Sequence, residues 1–202
     1  MSREKPFARA LPERPYQKVF LIATEGRVTE PEYFGIIRRL YPEVRCLIKQ
    51  ARKSSNNCSS PEEVLRLIQR WMKENGQLSQ GDEAWLVVDK DSWTQPQLDK
   101  LRVWVSREGE HHFGRRMALS DPKFEYWLLL HFENSNVANS EECTRKLKRH
   151  LALYEKSVNV HSITKDRVEQ AIVWARQRDG RGGGASTAVY KLVGNILDCP
   201  QS

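Results

Sequence analysis

Ala84-Trp85-Leu86-Val87-Val88-Asp89-Lys90-Asp91 decides how this chain folds. Its apolar run, Ala84 to Val88, reads as a strand. The run ends in two acids with one residue between. Side chains alternate faces along a strand, so Asp89 and Asp91 are expected to point the same way at its end. Two carboxylates about 4 Å apart repel by roughly 4 kcal/mol at an effective dielectric near 20. A divalent cation that prefers hard oxygen ligands, Mg²⁺ or Mn²⁺, offsets that best. The alternative is an exposed loop whose aspartates cap the following turn.

A second apolar run, Val19-Phe20-Leu21-Ile22-Ala23-Thr24, ends in Glu25-Gly26. Acids after two such strands point to a site at the carboxyl edge of a parallel sheet, where open α/β folds place their chemistry. Thr29-Glu30-Pro31-Glu32 reads as a capping box, with Thr29 as N-cap and Glu32 reaching back. That leaves Glu25 without a helix-capping role. It is expected as a metal ligand or a general acid/base if the two strands are neighbours, and otherwise as a turn residue. Glu30 is either a second ligand or a favourable charge at the helix N-terminus.

Outward from these segments, periodicity predicts strands at 18–24, 44–48, 84–88 and 115–119, with helices at 29–40, 60–75 and 95–108 between them. Alternation of this kind argues for a mostly parallel sheet of about four strands joined by right-handed crossovers. After Ser120 the pattern turns helical. Asp121-Pro122 reads as N-cap and first turn of a helix to about Phe132. Further helices are predicted at 141–154, at 164–178 and from Ser186 or Thr187 to Leu197. The expected organisation is a mobile basic arm (1–17), an α/β core (18–120) and a helical region packed on it (121–202).

The apolar helix around Phe124-Glu125-Tyr126-Trp127 should be buried, so Glu125 needs a partner. A salt bridge, to Lys156 or an arginine, and a place near the metal are both open. His131 on the same helix reads as a core histidine. Tyr33 and Tyr126, the available nucleophiles for strand rejoining, sit in apolar helical patterns and read as core.

The 202 residues suffice for one domain with a substantial core. A net charge of +7 favours an anionic partner, nucleic acid first, although solubility alone also accounts for it. Lys49, Arg52, Lys53, Arg145, Lys146, Lys148 and Arg149 are candidate phosphate contacts. Arg181 to Gly184 could cradle a phosphate but lacks the Lys-Ser/Thr ending of a P-loop. The four cysteines include no C-x-x-C pair, which argues against zinc. No apolar stretch is long enough to span a bilayer and no signal-peptide pattern opens the chain, so a reducing cytoplasm is expected.

Several motifs then occur in order: Glu25-Gly26-x-x-Thr29-Glu30-Pro31-x-Tyr33-Phe34, Asp89-Lys90-Asp91-x-Trp93, Ala118-Leu119-Ser120-Asp121-Pro122-x-Phe124-Glu125-x-Trp127, continuing to His131-Phe132, and Ser186-Thr187 with the apolar turn after it. Together they resemble the RloB family over nearly the whole chain after the basic arm. The resemblance implies a Toprim-like domain, in which a Glu after the first strand and an Asp-x-Asp after the third surround Mg²⁺. Glu25, Asp89 and Asp91 match those positions. It further implies an ATPase partner in a phage-defence, abortive-infection type of system. The reading that follows is a metal-dependent nuclease, with Glu125 and Lys156 as supporting candidates, the lysine offering a positive charge to the transition state. The rival reading is a non-catalytic subunit that binds nucleic acid or the ATPase. DNA and RNA are not distinguished; transfer RNA enters only by analogy of fold.

Overall fold

The computed structural model describes residues 17–50, 61–91, 93–107, 112–151, 162–179 and 183–199. The predicted basic arm lies almost wholly outside them, as do the predicted loop at 53–59, Arg52, Lys53, Lys156, Arg181 and Gly182.

Among the described residues, five strands and seven helices alternate through most of the chain. They are β1 (Val19–Thr24), α1 (Thr29–Leu40), β2 (Arg45–Gln50), α2 (Pro61–Asn75), β3 (Glu83–Asp89), α3 (Gln95–Ser106) and β4 (Gly114–Asp121). Then follow α4 (Phe124–Leu129), α5 (Ser140–His150), α6 (Lys165–Asp179), β5 (Ser186–Thr187) and α7 (Val189–Leu197). The sheet order is β2-β1-β3-β4-β5, parallel except for β5.

β3 is the central strand, and its apolar run is buried on both faces. Alternate residues feed two cores. Phe20, Ile22, Trp85 and Val87 face the larger one, built with α1 and α4 to α7. Leu21, Ala23, Leu86 and Val88 face the smaller one, built with α2 and α3. From β1 the chain crosses to β2 on one side, then returns past β1 to β3 on the other. Right-handed crossovers in opposite directions put α1 and α2 on opposite faces. The strand order therefore reverses between β1 and β3, and at such a switch point the carboxyl ends open a crevice.

Three local expectations are corrected. Val28, not Thr29, is the N-cap residue of α1, so the predicted capping box does not set this helix start. The segment from Asp121 is strand rather than helix: Asp121 pairs with Ser186, the Asp121–Pro122 peptide is cis, and α4 begins only at Phe124 and ends at Leu129. Ser186 and Thr187 form the fifth strand instead of the first turn of α7, because the free edge of β4 takes up their backbone. The Ser120 and Thr187 hydroxyls pair across this edge at 2.9 Å, and Thr187 Oγ1 then accepts from Val189 N–H as α7 starts.

His131 is a core histidine as expected: Nδ1 meets the Trp127 carbonyl at 2.9 Å and Nε2 meets the Tyr33 hydroxyl at 3.2 Å. Burial drops its pKa to about 4, so the ring is neutral at ordinary pH. Tyr33 and Tyr126 are fully buried core residues. No described helix is long and apolar enough to cross a membrane.

Candidate carboxylate site

Glu25 and Asp89 come together because β1 and β3 are neighbours in parallel register, with Thr24 opposite Val87. The chain leaves β1 with Glu25 N–H still bonded to the Val87 carbonyl at 3.1 Å. The Glu25 carboxylate lies across the end of β3, where Oε2 accepts from Trp93 Nε1 at 2.8 Å and from Asp89 N–H at 3.3 Å. Asp89 Oδ1 accepts from Phe124 N–H at 2.8 Å, and so caps α4 from another strand. This is the job the sequence pattern had assigned to Asp121.

Glu30 turns back from the first turn of α1, and its Oε1 accepts from Gly26 N–H at 2.9 Å. A Cβ at position 26 would lie 1.9 Å from that carboxylate, so only glycine admits the approach. Glu125 completes the group from α4. These four acids line one cleft of about 370 Å³ together with Gly26, Arg27, Val28 and Thr29.

Three of these carboxyls, those of Glu25, Glu30 and Asp89, are raised. Burial pushes Glu30 up to about 7, with Glu125 and Glu25 adding to the shift against two backbone N–H groups. Burial also holds Asp89 well above the usual aspartate range, reinforced by the charges of Glu30, Glu25, Glu125 and Asp91. Glu25 is raised by burial too, partly opposed by the bonds from Trp93 and Asp89. Carboxylates raised by desolvation and mutual repulsion and set in a cleft make this group the candidate functional site. Arg27 lines the same cleft and was missed by sequence reasoning, although it directly follows Glu25-Gly26. Trp93 was seen only as part of a motif, and its role in orienting Glu25 was not.

Asp91 lies past the end of β3, in the turn that follows Asp89. β3 ends at Asp89, the chain turns, and Asp91 N–H bonds the Pro122 carbonyl at 3.1 Å. Strand alternation therefore no longer applies, and the exposed Asp91 carboxylate accepts from the Ser140 hydroxyl at the N-terminus of α5. Its charge is still felt by Glu25 and Asp89. The expected basic residues that are described lie on two elements. Lys49 is on edge strand β2, while Arg145, Lys146, Lys148 and Arg149 are on α5. Lys146 is engaged with the Asn136 carbonyl and Glu142. Arg145 and Lys148 line a second cleft with Lys123, a residue that no sequence pattern singles out.

The donor set suits Mg²⁺ or Mn²⁺, since it consists of hard carboxylate oxygens with excess negative charge. In the arrangement described, Glu25, Asp89 and Asp91 are each turned toward protein donors. Among the described residues no three His, Cys, Asp or Glu side chains are already disposed to hold one ion.

An open, mostly parallel α/β sheet with an acidic cleft at its switch point is therefore the class of protein that fold and site define. The chain belongs to the RloB-like protein family, whose pattern matches residues 20–196, from the second residue of β1 to the last turn of α7, and so includes the whole cleft. No curated protein and no solved structure matches it.

Proposed function

We propose that this chain is a Mg²⁺- or Mn²⁺-dependent nuclease with a Toprim-type site, cleaving phosphodiester bonds in DNA or RNA. One observation carries the reading: Glu25, Glu30, Asp89 and Glu125 share a single cleft at the sheet's switch point, and the carboxyls of Glu25, Glu30 and Asp89 are pushed up by burial and mutual repulsion. A divalent cation, when bound, would neutralise the charge developing on the phosphate and lower the pKa of the attacking water. Glu25 and Asp89 would hold it, with Asp91, Glu30 and Glu125 as further candidates. Trp93 and Phe124 N–H orient the first two carboxylates. Arg27 lines the cleft where a phosphate oxygen would lie and offers a fixed positive charge to it. Lys156, the lysine expected from sequence for that task, lies outside the described residues. A role as effector of a phage-defence system, regulated by an ATPase partner, follows from the family resemblance alone.

The test is incubation of the purified chain with single-stranded DNA, duplex DNA and total RNA in Mg²⁺ or Mn²⁺, beside calorimetric titration of the cation. Cleavage should be abolished by EDTA. Glu25→Gln and Asp89→Asn should lower it about 10³-fold or more, in the range of a lost charge-stabilising group at a reacting centre. The variants should melt no lower than wild type. Cation binding unaffected by Asp89→Asn, together with no cleavage of any substrate, would overturn the reading. The engagement of Glu25, Asp89 and Asp91 by protein donors favours the alternative, a non-catalytic subunit that binds nucleic acid or an ATPase. Salt-sensitive binding, indifferent to EDTA and without turnover, would support that instead.

A further inference from the structure

Three consecutive residues at the start of α4 connect the acidic cleft to a second one. Glu125 lines the acidic cleft, Phe124 N–H holds Asp89, and Lys123 lines a neighbouring cleft of about 460 Å³. The other wall of that second cleft is α5, which contributes Ser140, Glu141, Thr144, Arg145 and Lys148. Ser140 in turn donates its hydroxyl to Asp91, whose charge reaches Asp89 and Glu25.

The second cleft has three cations against one carboxylate, the reverse of the first. Lys123 Nζ donates to Thr144 Oγ1 at 2.7 Å, which fixes the ammonium without neutralising it and leaves two of its three protons to donate. Arg145 and Lys148, one helical turn apart, share an exposed face of α5. Arg145 is only 3.7 Å from Glu142, a loose and solvated pairing. A chain of anions fits this pairing of clefts: one phosphate at the acids, its neighbours at the cations.

We propose that the cleft between the β4–α4 turn and α5 binds the phosphodiester backbone of a nucleic-acid strand, with Lys123, Arg145 and Lys148 as its phosphate contacts. The proposal rests on the reading of the acidic cleft as a phosphodiester site. It assigns the neighbouring phosphates a place and adds Lys123, Ser140 and Thr144 to the functional surface. It leaves out Lys146, already engaged with Asn136 and Glu142.

Fluorescence anisotropy with a labelled single-stranded oligonucleotide, DNA or RNA, tests it in EDTA, where cleavage plays no part. Arg145→Gln/Lys148→Gln keeps the Lys123–Thr144 bond and touches only exposed side chains. It should weaken binding about tenfold at low salt and reduce the slope of log K against log salt by about 1.4, the value for two lost phosphate contacts on a single strand. Lys123→Gln should weaken it further. Arg70→Gln/Lys73→Gln removes the same charge from the exposed side of α2, on the opposite face of the sheet, and should leave affinity and slope near wild type. Wild-type affinity and slope in the α5 variant, an equal loss in the α2 variant, or no binding by wild type would each overturn the proposal. The two readings fail separately. If the α5 variant binds and cleaves like wild type, the basic cleft falls and the nuclease stands. If wild type binds through α5 and never cleaves in Mg²⁺ or Mn²⁺, the nuclease falls and the basic cleft stands.

Discussion

Glu83 and Glu30 sit at opposite ends of the same parallel sheet, both nearly sealed from water, at 8% and 6% exposed. Their carboxyls are shifted in opposite directions. At the amino end, Glu83 accepts from Lys18 Nζ at 2.8 Å, Trp85 Nε1 at 2.7 Å and Asn195 Nδ2 at 3.0 Å, which outweigh its burial and hold it below the usual carboxylate range. Beside it, Asp82 takes the backbone N–H groups of Val19 and Ser79. At the carboxyl end, Glu30 receives N–H groups but faces other carboxylates, and is raised to about 7. Buried acids are thus not functional by being buried. An acid with a cation and a full set of donors ties the fold together; an acid facing other acids is stored electrostatic cost, which a bound cation can relieve.

The same substitution at the two ends should therefore have opposite signs. The largest effect is expected from Glu30→Gln, measured in EDTA. The native pKa of Glu30 is raised from 4.5 to about 7, so wild type loses stability as pH rises through that window. The penalty is complete above it, at about 3 kcal/mol. Gln keeps the acceptor for Gly26 N–H and carries no charge. Chemical denaturation should show the variant more stable by about that amount at about pH 8 and equal to wild type at about pH 4. A gap that does not change with pH would sever the link between burial of this acid and its cost. Glu83→Gln should instead destabilise by about 2 kcal/mol at neutral pH, since the buried indole N–H of Trp85 and the Asn195 amide lose their charged acceptor. Lys18, part exposed, can turn to water. A neutral result in a urea titration would mean that the amino end is no better compensated than the other.

The parallel sheet and the acids that follow the apolar runs of β1 and β3 were legible in the sequence, because strand and helix patterns alternate and each run ends in an acid. Their adjacency was an inference from parallel topology, and the register bears it out. What stayed hidden was set by tertiary partners. Nothing local marks Ser186–Thr187 as a strand; two residues carry no periodicity, and only the free edge of β4 makes them one. Nothing local tells that Asp89 rather than Asp121 would cap α4. Asp91 was placed by strand alternation beyond the point where β3 stops. Arg27 had a signal in its neighbours, Glu25 and Gly26, whereas Lys123 had none.

Two tryptophans sharpen the comparison, since each end of the sheet has an indole N–H donated to a glutamate: Trp85 to Glu83 at 2.7 Å and Trp93 to Glu25 at 2.8 Å. At the amino end the bond is one of several. At the carboxyl end it is the strongest influence opposing the rise of Glu25. Trp93→Phe keeps an aromatic ring on the partly buried rim and deletes only the donor. Because the bond favours the ionised carboxylate, its loss raises Glu25 further. The cost should appear at high pH and fade as pH falls through the native pKa of Glu25. Denaturation at about pH 8 should show a loss of about 1 kcal/mol, and at about pH 4 almost none. Cation affinity, read by calorimetry, should fall much less than in Asp89→Asn, because Glu25 itself remains. A loss as large as that of Asp89→Asn would instead make Trp93 a residue without which Glu25 cannot reach the cation at all.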